Sequence, residues 1–239
     1  MILIAALSLA GHVAARWRGA QQGLLWSGLL GGLASSTAAT LALSRAARAQ
    51  PGLATPAAAG IVGACGVMFV RMAVVAAALQ PVLAAPMAGP LLLLAAVSFV
   101  ATAWLWRRRP DGAGPATGAS GRLFDLPTAL GFGLLLGAVA VLARAAKEAL
   151  GDAGVYAVAF VSGLGDVDAP LVSSLHMAAA GELSTQVAMA AIVLAVASNM
   201  VVKAVMAWSI GGSAVGRRVA AAYLLVLAAA AVGVALRLQ

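Results

Sequence analysis

Long apolar runs separated by short polar joints make up most of this chain, and that pattern limits its fold more than any other feature. A helix needs about 20 apolar residues to cross the hydrocarbon core of a bilayer. By that criterion the sequence divides into about eight membrane segments. They are Ile2–Trp17, Gly23–Ser44, Thr55–Leu79, Pro90–Trp106, Leu126–Ala143, Gly154–Ala179, Ser184–Ile210 and Val219–Leu236. Of the 239 residues, 63% are hydrophobic and only 9% charged, whereas a soluble domain is about half apolar and a quarter charged. Too little polar surface is left to cover a water-soluble globule. A cytosolic enzyme, a disordered regulator and a nucleic-acid-binding domain are excluded, and the expected fold class is all-α, a polytopic helical membrane protein.

The net charge of +8 fits that class once its placement is considered. Arg107, Arg108 and Arg109 close one apolar run, Arg217 and Arg218 precede another, and Arg16 and Arg18 follow a third. Basic residues at span ends are what the positive-inside rule and anionic headgroups select, and Trp17, Trp104 and Trp106 beside them read as interfacial anchors. No basic stripe is long enough to follow a phosphate backbone, so no nucleic-acid partner is expected. Loops on alternate sides carry similar numbers of Arg and Lys, and the charges alone leave the orientation open. The single cysteine, Cys65, rules out an intrachain disulfide and a cysteine-based zinc site. Met1 to Ala15 has no basic residue before it and reads as a first helix, not a signal peptide.

The chain reads as a first membrane repeat (1–106), a flexible polar linker (107–125) rich in Gly and Pro, and a second repeat (126–239). Gly31 to Ala38 in the first half (GGLASSTA) matches Ser162 to Ala169 in the second (SGLGDVDA), and Met68-Phe-Val-Arg71 matches Met200-Val-Val-Lys203. The offset stays near 131 residues, as expected of an old duplication. Repeats of this kind usually build transporters whose site lies where the halves meet. Four spanning helices per half would make the repeats parallel; an odd number, with one segment re-entrant, would invert them.

These same stretches resemble a known family. Gly28 to Thr40, Val67 to Arg71, Ser162 to Ala169 and Ala197 to Lys203 are similar to the integral membrane domain of unknown function often found C-terminal to an MgtC/SapB-type domain. The likeness covers almost the whole chain. It implies a bacterial cytoplasmic (inner) membrane protein, a link to magnesium or other ion homeostasis, and an MgtC-like partner domain. It supplies no substrate.

Asp166 and Asp168 are the sharpest chemical feature. An ionised carboxylate in the middle of an apolar segment costs at least about 2.5–3.5 kcal/mol. Residues two apart on a regular helix point to nearly opposite faces, so both can serve one site only where the helix breaks. Gly163, Gly165 and Pro170 supply the break, and a discontinuous helix near the midplane, lined by carboxylates and freed carbonyls, suits a cation or metal ion. The competing reading makes Asp168 the cap of the second half-helix and pairs Asp166 with a buried Arg or Lys. In the first half, Ser35, Ser36 and Thr37, with Thr40 one turn on, put hydroxyls at the equivalent place, able to ligate a hard cation or merely to pack helices closely. Arg71 and Lys203 occupy matching positions as charge-compensating or coupling cations. They would pair with the aspartates, exchange against substrate, or bind an anion directly. Ser198 and Asn199 precede Lys203, and Asn199 shares its helix face.

Elsewhere the chemistry is sparse. His12 and His176 lack metal-ligand spacing. Arg144 and Glu148 read as a helix-end ion pair, with Glu182 in a loop and Ser184 as a helix cap. Hydrolase, P-loop and zinc-protease signatures are absent, and neither enzymatic activity nor a cofactor is expected. The reading is a channel or secondary transporter for a small ion, foremost Mg²⁺, another divalent ion or Na⁺ exchanged with protons. The alternatives are an anion or small organic solute held by Arg71 and Lys203, or a regulatory protein that docks in the membrane without transporting. The bilayer, a small ion and a second copy in a homodimer are the expected partners.

Overall fold

Alanine, leucine and valine runs without a strand-like alternation favour helix, and helix is what forms. The structure, a computed structural model, describes residues 20–109, 141–142 and 144–235. The apolar run Ile2–Trp17, nearly all of Leu126–Ala143 and most of the linker lie outside the described residues. The helices are α1 (Ala20–Ala49), α2 (Ala54–Leu79), α3 (Pro81–Arg107), α4 (Asp152–Gly165), α5 (Asp168–Ala179), α6 (Thr185–Ser209) and α7 (Ser213–Ala235). Residues 144–150 are also helical, and no strand occurs among the described residues. Pro81 opens α3 at a position where its missing N–H costs nothing. The Ser184 hydroxyl accepts the Val187 N–H at 3.2 Å, capping α6 as its sequence suggests.

Four stretches are long and apolar enough to cross a membrane: Gln22–Ala49, Pro51–Leu79, Met87–Arg107 and Thr185–Ser209. Large apolar side chains such as Val82 (86% exposed), Val100 (70%) and Leu224 (67%) point outward, an arrangement suited to lipid and not to water. The described residues divide into two compact units, one of 20–71, 90–109 and 203–235, the other of 72–89 and 141–202 without residue 143.

In the first unit α1 folds back on itself. Its backbone is extended at Ser35 (φ −160°, ψ 110°). A Cβ built on Gly31 would stand 3.4 Å from the Cβ of Ala39, although eight residues of straight helix rise about 12 Å. A Cβ on Gly60 would meet both Leu24 O (2.8 Å) and Leu43 Cδ1 (2.9 Å). Thus α1 is a helical hairpin with Ser35 at its tip, and Gln22–Ala49 is one reversal, not one crossing. Small residues let its first arm lie against α2: a Cβ on Gly28 would be 2.6 Å from Gly60 Cα, and one on Gly32 2.7 Å from Ala64 Cα. Such small-residue pairs bring backbones together in membranes. Antiparallel to α2 runs α3, with Gly63 at Thr102 and Gly66 at Phe99.

The second unit has the same device. Asp166 is extended (φ −155°, ψ 149°) between α4 and α5. A straight α4–α5 would separate its ends by about 40 Å. Instead Val155 and Ala159 share one apolar cluster with Met177, Leu183 and the α6 residues Ala188, Ala191 and Ala195. The expected segment Gly154–Ala179 is therefore a second hairpin. Glycine in the left-handed region frames it at both ends, at Gly151 (φ 61°) and Gly181 (φ 76°). The helix 144–150 lies back on α4, where a Cβ on Gly154 would be 2.9 Å from Ala146 Cβ. Arg144 makes its bidentate pair with Glu182 (2.6 and 3.0 Å), not with Glu148 as its spacing predicts. The folded-back α5 brings Glu182 within reach, and Glu148 adds only its more distant field. Lys147 pairs with Asp152.

Two outcomes test this packing. Gly28→Leu should cost about 1–3 kcal/mol or more through overpacking, whereas Gly52→Ala, with open space around it, should be neutral in detergent unfolding. The Arg144 hydrogen bonds hold the Glu182 carboxyl below its ordinary range. That pair's stabilisation is present above the unfolded-state carboxylate pKa and fades as pH falls through the lower folded value. Unfolding midpoints measured from pH 7 down to pH 3 should therefore fall more steeply in the parent than in Glu182→Gln.

Candidate functional site

A helix that breaks at membrane depth strands backbone donors and acceptors, and each must find a partner within the protein. At the α4–α5 break the Asp166 N–H still donates to Ser162 O (2.9 Å), while Asp166 Oδ2 accepts the N–H groups of Asp168 (3.1 Å) and Ala169 (3.3 Å). Asp166, not Asp168, is thus the cap of the second half-helix. Asp168 sits in the first turn of α5, followed by Pro170 in a position that needs no N–H. Both aspartates are half-buried. The other side of the break is met from α6: the Asn199 amide, almost wholly buried, donates from Nδ2 to Gly163 O at 2.8 Å. Its Oδ1 is buried and accepts no hydrogen bond among the described residues. Ser198 turns its hydroxyl back onto Ala195 O (2.9 Å), which makes it a packing residue beside Gly163.

The α1 break is built the same way from different residues. The Ser35 hydroxyl accepts the Ala38 N–H at 3.2 Å. Arg71 Nη1, from α2, donates to Leu33 O (2.9 Å) and Ala34 O (3.2 Å), two carbonyls left over where the first arm ends. Lys203, fully buried, donates to Ser36 Oγ at 2.7 Å and to Met68 Sδ at 3.2 Å. The sequence match with Arg71 assigns Lys203 to the second half, yet its ammonium group lies at the break of the first. Thr40 bonds back to Ser36 O (2.8 Å) within its own helix, and Thr37 is half-buried one residue beyond Ser36.

Six sequence-named residues therefore belong to the α1 break: Ser35, Ser36, Thr37, Thr40, Arg71 and Lys203. Asp166, Asp168, Ser198 and Asn199 belong to the α4–α5 break. Sequence reasoning missed Met68 as a partner of Lys203; its only signal was its place in the Met68–Arg71 repeat match. It also missed the capping roles of Ser35 and Asp166, though their common offset linked them. No group of three or more His, Cys, Asp or Glu side chains comes together among the described residues, so a metal ion at Asp166 and Asp168 would draw its further ligands from amide, hydroxyl or carbonyl oxygens. His176 lies toward the end of α5, and His12 is outside the described residues.

Membrane-length apolar helices and helical hairpins broken over a hydroxyl or a carboxylate define an all-helical protein of the membrane class. The chain belongs to a family described as a domain of unknown function (DUF4010), whose model matches residues 2–211. The family resemblance read from the sequence is borne out; an association with MgtC is no part of this match. An uncharacterized protein of Aquifex aeolicus (strain VF5) is 36% identical over 80 residues, which cover 34% of this chain and 35% of that protein. The match thus spans about a third of that relative's length. No solved structure matches.

Capping and charge can be separated at Asp166. Asparagine caps as well as aspartate, and alanine costs about 1 kcal/mol at such a position. Asp166→Asn should leave the unfolding midpoint near the parent's, and Asp166→Ala and Ser35→Ala should each lower it. Hydrogen exchange at Ala169 and Ala38 should quicken only in the respective alanine variants.

Proposed function

We propose that the protein is a membrane transporter for a small ion, and that a cation binds at the break between α4 and α5. The observation that carries this is a carboxylate pair placed where a hairpin reverses within an apolar segment. The cap engages Oδ2 of Asp166 and leaves Oδ1 as the oxygen it does not use, while Asn199 Oδ1 adds a buried oxygen with no donor among the described residues. Carboxylate and amide oxygens at a helix break suit a hard cation such as Mg²⁺, another divalent ion or Na⁺, with protons or the internal cations as the exchange partner.

The two hairpins share their tip backbone, their capping pattern and the small-residue seat of the first arm, Gly32 on Ala64 and Gly163 on Ala195. We take them as duplicates. Counted along the sequence with the first and fifth apolar runs, each half then has one hairpin and three crossings, and an odd count gives repeats of opposite orientation. The setting is the bacterial cytoplasmic membrane, crossed several times. Gly28 and Gly32 are used within the chain, so a homodimer would need another face. An MgtC-like partner is kept from the sequence resemblance alone.

A second reading has its own observation. The α1 break presents Arg71, Lys203 and the start of a half-helix together, a setting for an anion or acidic solute. Flux in proteoliposomes under a pH gradient, with divalent cations, Na⁺ and simple anions, separates the readings. Cation flux should fall to the protein-free background in Asp166→Asn/Asp168→Asn, which retains the cap. Undiminished cation flux in that variant rejects the site. Anion flux lost in Lys203→Gln and kept in the double variant favours the second reading. A folded protein that moves none of these ions is a docking partner instead.

A further inference from the structure

Folding gathers seven arginines of the first unit at one end. Its helix α3 runs antiparallel to α2, with Gly66 at Phe99 and Gly63 at Thr102. Arg107, Arg108 and Arg109 therefore stand at the level where α2 begins. Arg45 and Arg48 lie in the last turns of α1, joined to α2 by the single turn Pro51–Leu53. The α6–α7 turn is seated on that same stretch: Cβ atoms built on Gly211 and Gly212 would each be 3.4 Å away, from Ser44 Cα and Arg48 Nη1 respectively. Arg217 and Arg218 follow it in α7. Seven arginines thus occupy one end, five of them exposed.

The described residues of this unit include no Asp or Glu to offset that charge. Aromatic rings mark the same level. Arg108 lies 4.1 Å over Trp104 and Arg109 4.0 Å over Trp106, and Trp208, near the end of α6, is 49% exposed. At the other end of α2 and α3 the picture is opposite: from Met72 to Trp106, across the turn at Gln80, the chain has no charged residue.

We infer that this arginine end lies at the cytoplasmic leaflet, with its guanidinium groups on anionic phospholipid headgroups and its tryptophans at the interface. A phosphodiester headgroup supplies the anionic oxygens that guanidinium binds in pairs. Basic residues are retained on the cytoplasmic side of membrane proteins. Both arms of the α1 hairpin then open to the cytoplasm. Its Ser35 tip reaches up to about 22 Å inward along a 15-residue arm, beyond the middle of a core about 30 Å thick. This orientation rests on the membrane reading and is independent of transport.

Cysteine accessibility tests it. Cys65 is fully buried, so the parent chain is the unlabelled control, with Cys65→Ala as the background should it react. Gln50→Cys reports the arginine end and Gln80→Cys the uncharged turn. A membrane-impermeant maleimide should label Gln80→Cys in right-side-out vesicles and Gln50→Cys in inside-out vesicles. The reverse pattern, or labelling of both variants in both preparations, overturns the orientation. For the headgroups, Arg107→Gln/Arg108→Gln/Arg109→Gln should retain several-fold less phosphatidylglycerol than the parent after detergent extraction, with phosphatidylethanolamine unchanged. Equal phosphatidylglycerol in both overturns the lipid assignment.

Discussion

A backbone amide or carbonyl inside a bilayer has no water to turn to, and its partner must come from the protein. That constraint accounts for four of the polar side chains at the two helix breaks before any function is invoked. Each reversal in direction leaves carbonyls on the incoming arm and N–H groups on the outgoing one. Ser35 and Asp166 answer the N–H groups. Arg71 and Asn199, each from the long helix packed on the incoming arm, answer the carbonyls. Beside these contacts the breaks hold the second oxygen of Asp166 and the amide oxygen of Asn199, with the charged groups of Asp168 in the first turn of α5 and of Lys203 on Ser36 Oγ.

Glycine and alanine make those reversals affordable in space. An arm folded back beside a neighbouring helix must approach within backbone contact for Arg71 or Asn199 to reach its carbonyls. At Gly28, Gly32 and Gly163 a single added carbon would collide with the facing backbone. Close inner packing in turn sends the large aliphatic side chains outward, where lipid accepts them.

Charge is distributed unevenly between the two units. The described residues of the first hold Arg71, Lys203 and the seven arginines of its end, with no acid; the second holds Asp166, Asp168 and the Glu182 and Asp152 pairs. An overall charge of +8 conceals this separation. Sequence order does too, because Lys203 follows the acidic break in the chain and yet donates to Ser36.

From the sequence alone came the helical membrane class, the family, the break at Gly163–Pro170 and the ten residues that cluster at the two breaks. These are properties of composition and local backbone preference: apolar content sets the solvent, and glycine and proline set where a helix stops. Only the tertiary structure decided that Gly23–Ser44 and Gly154–Ala179 reverse within themselves, since hydropathy counts residues along a line and carries no direction. It also decided that Asp166 caps, that Arg144 reaches Glu182 instead of Glu148, and that Lys203 meets Ser36 and Met68. The Arg144 and Lys203 contacts join residues that a fold-back or a neighbouring helix brings within about 3 Å, and no spacing along the chain encodes a distance of that kind.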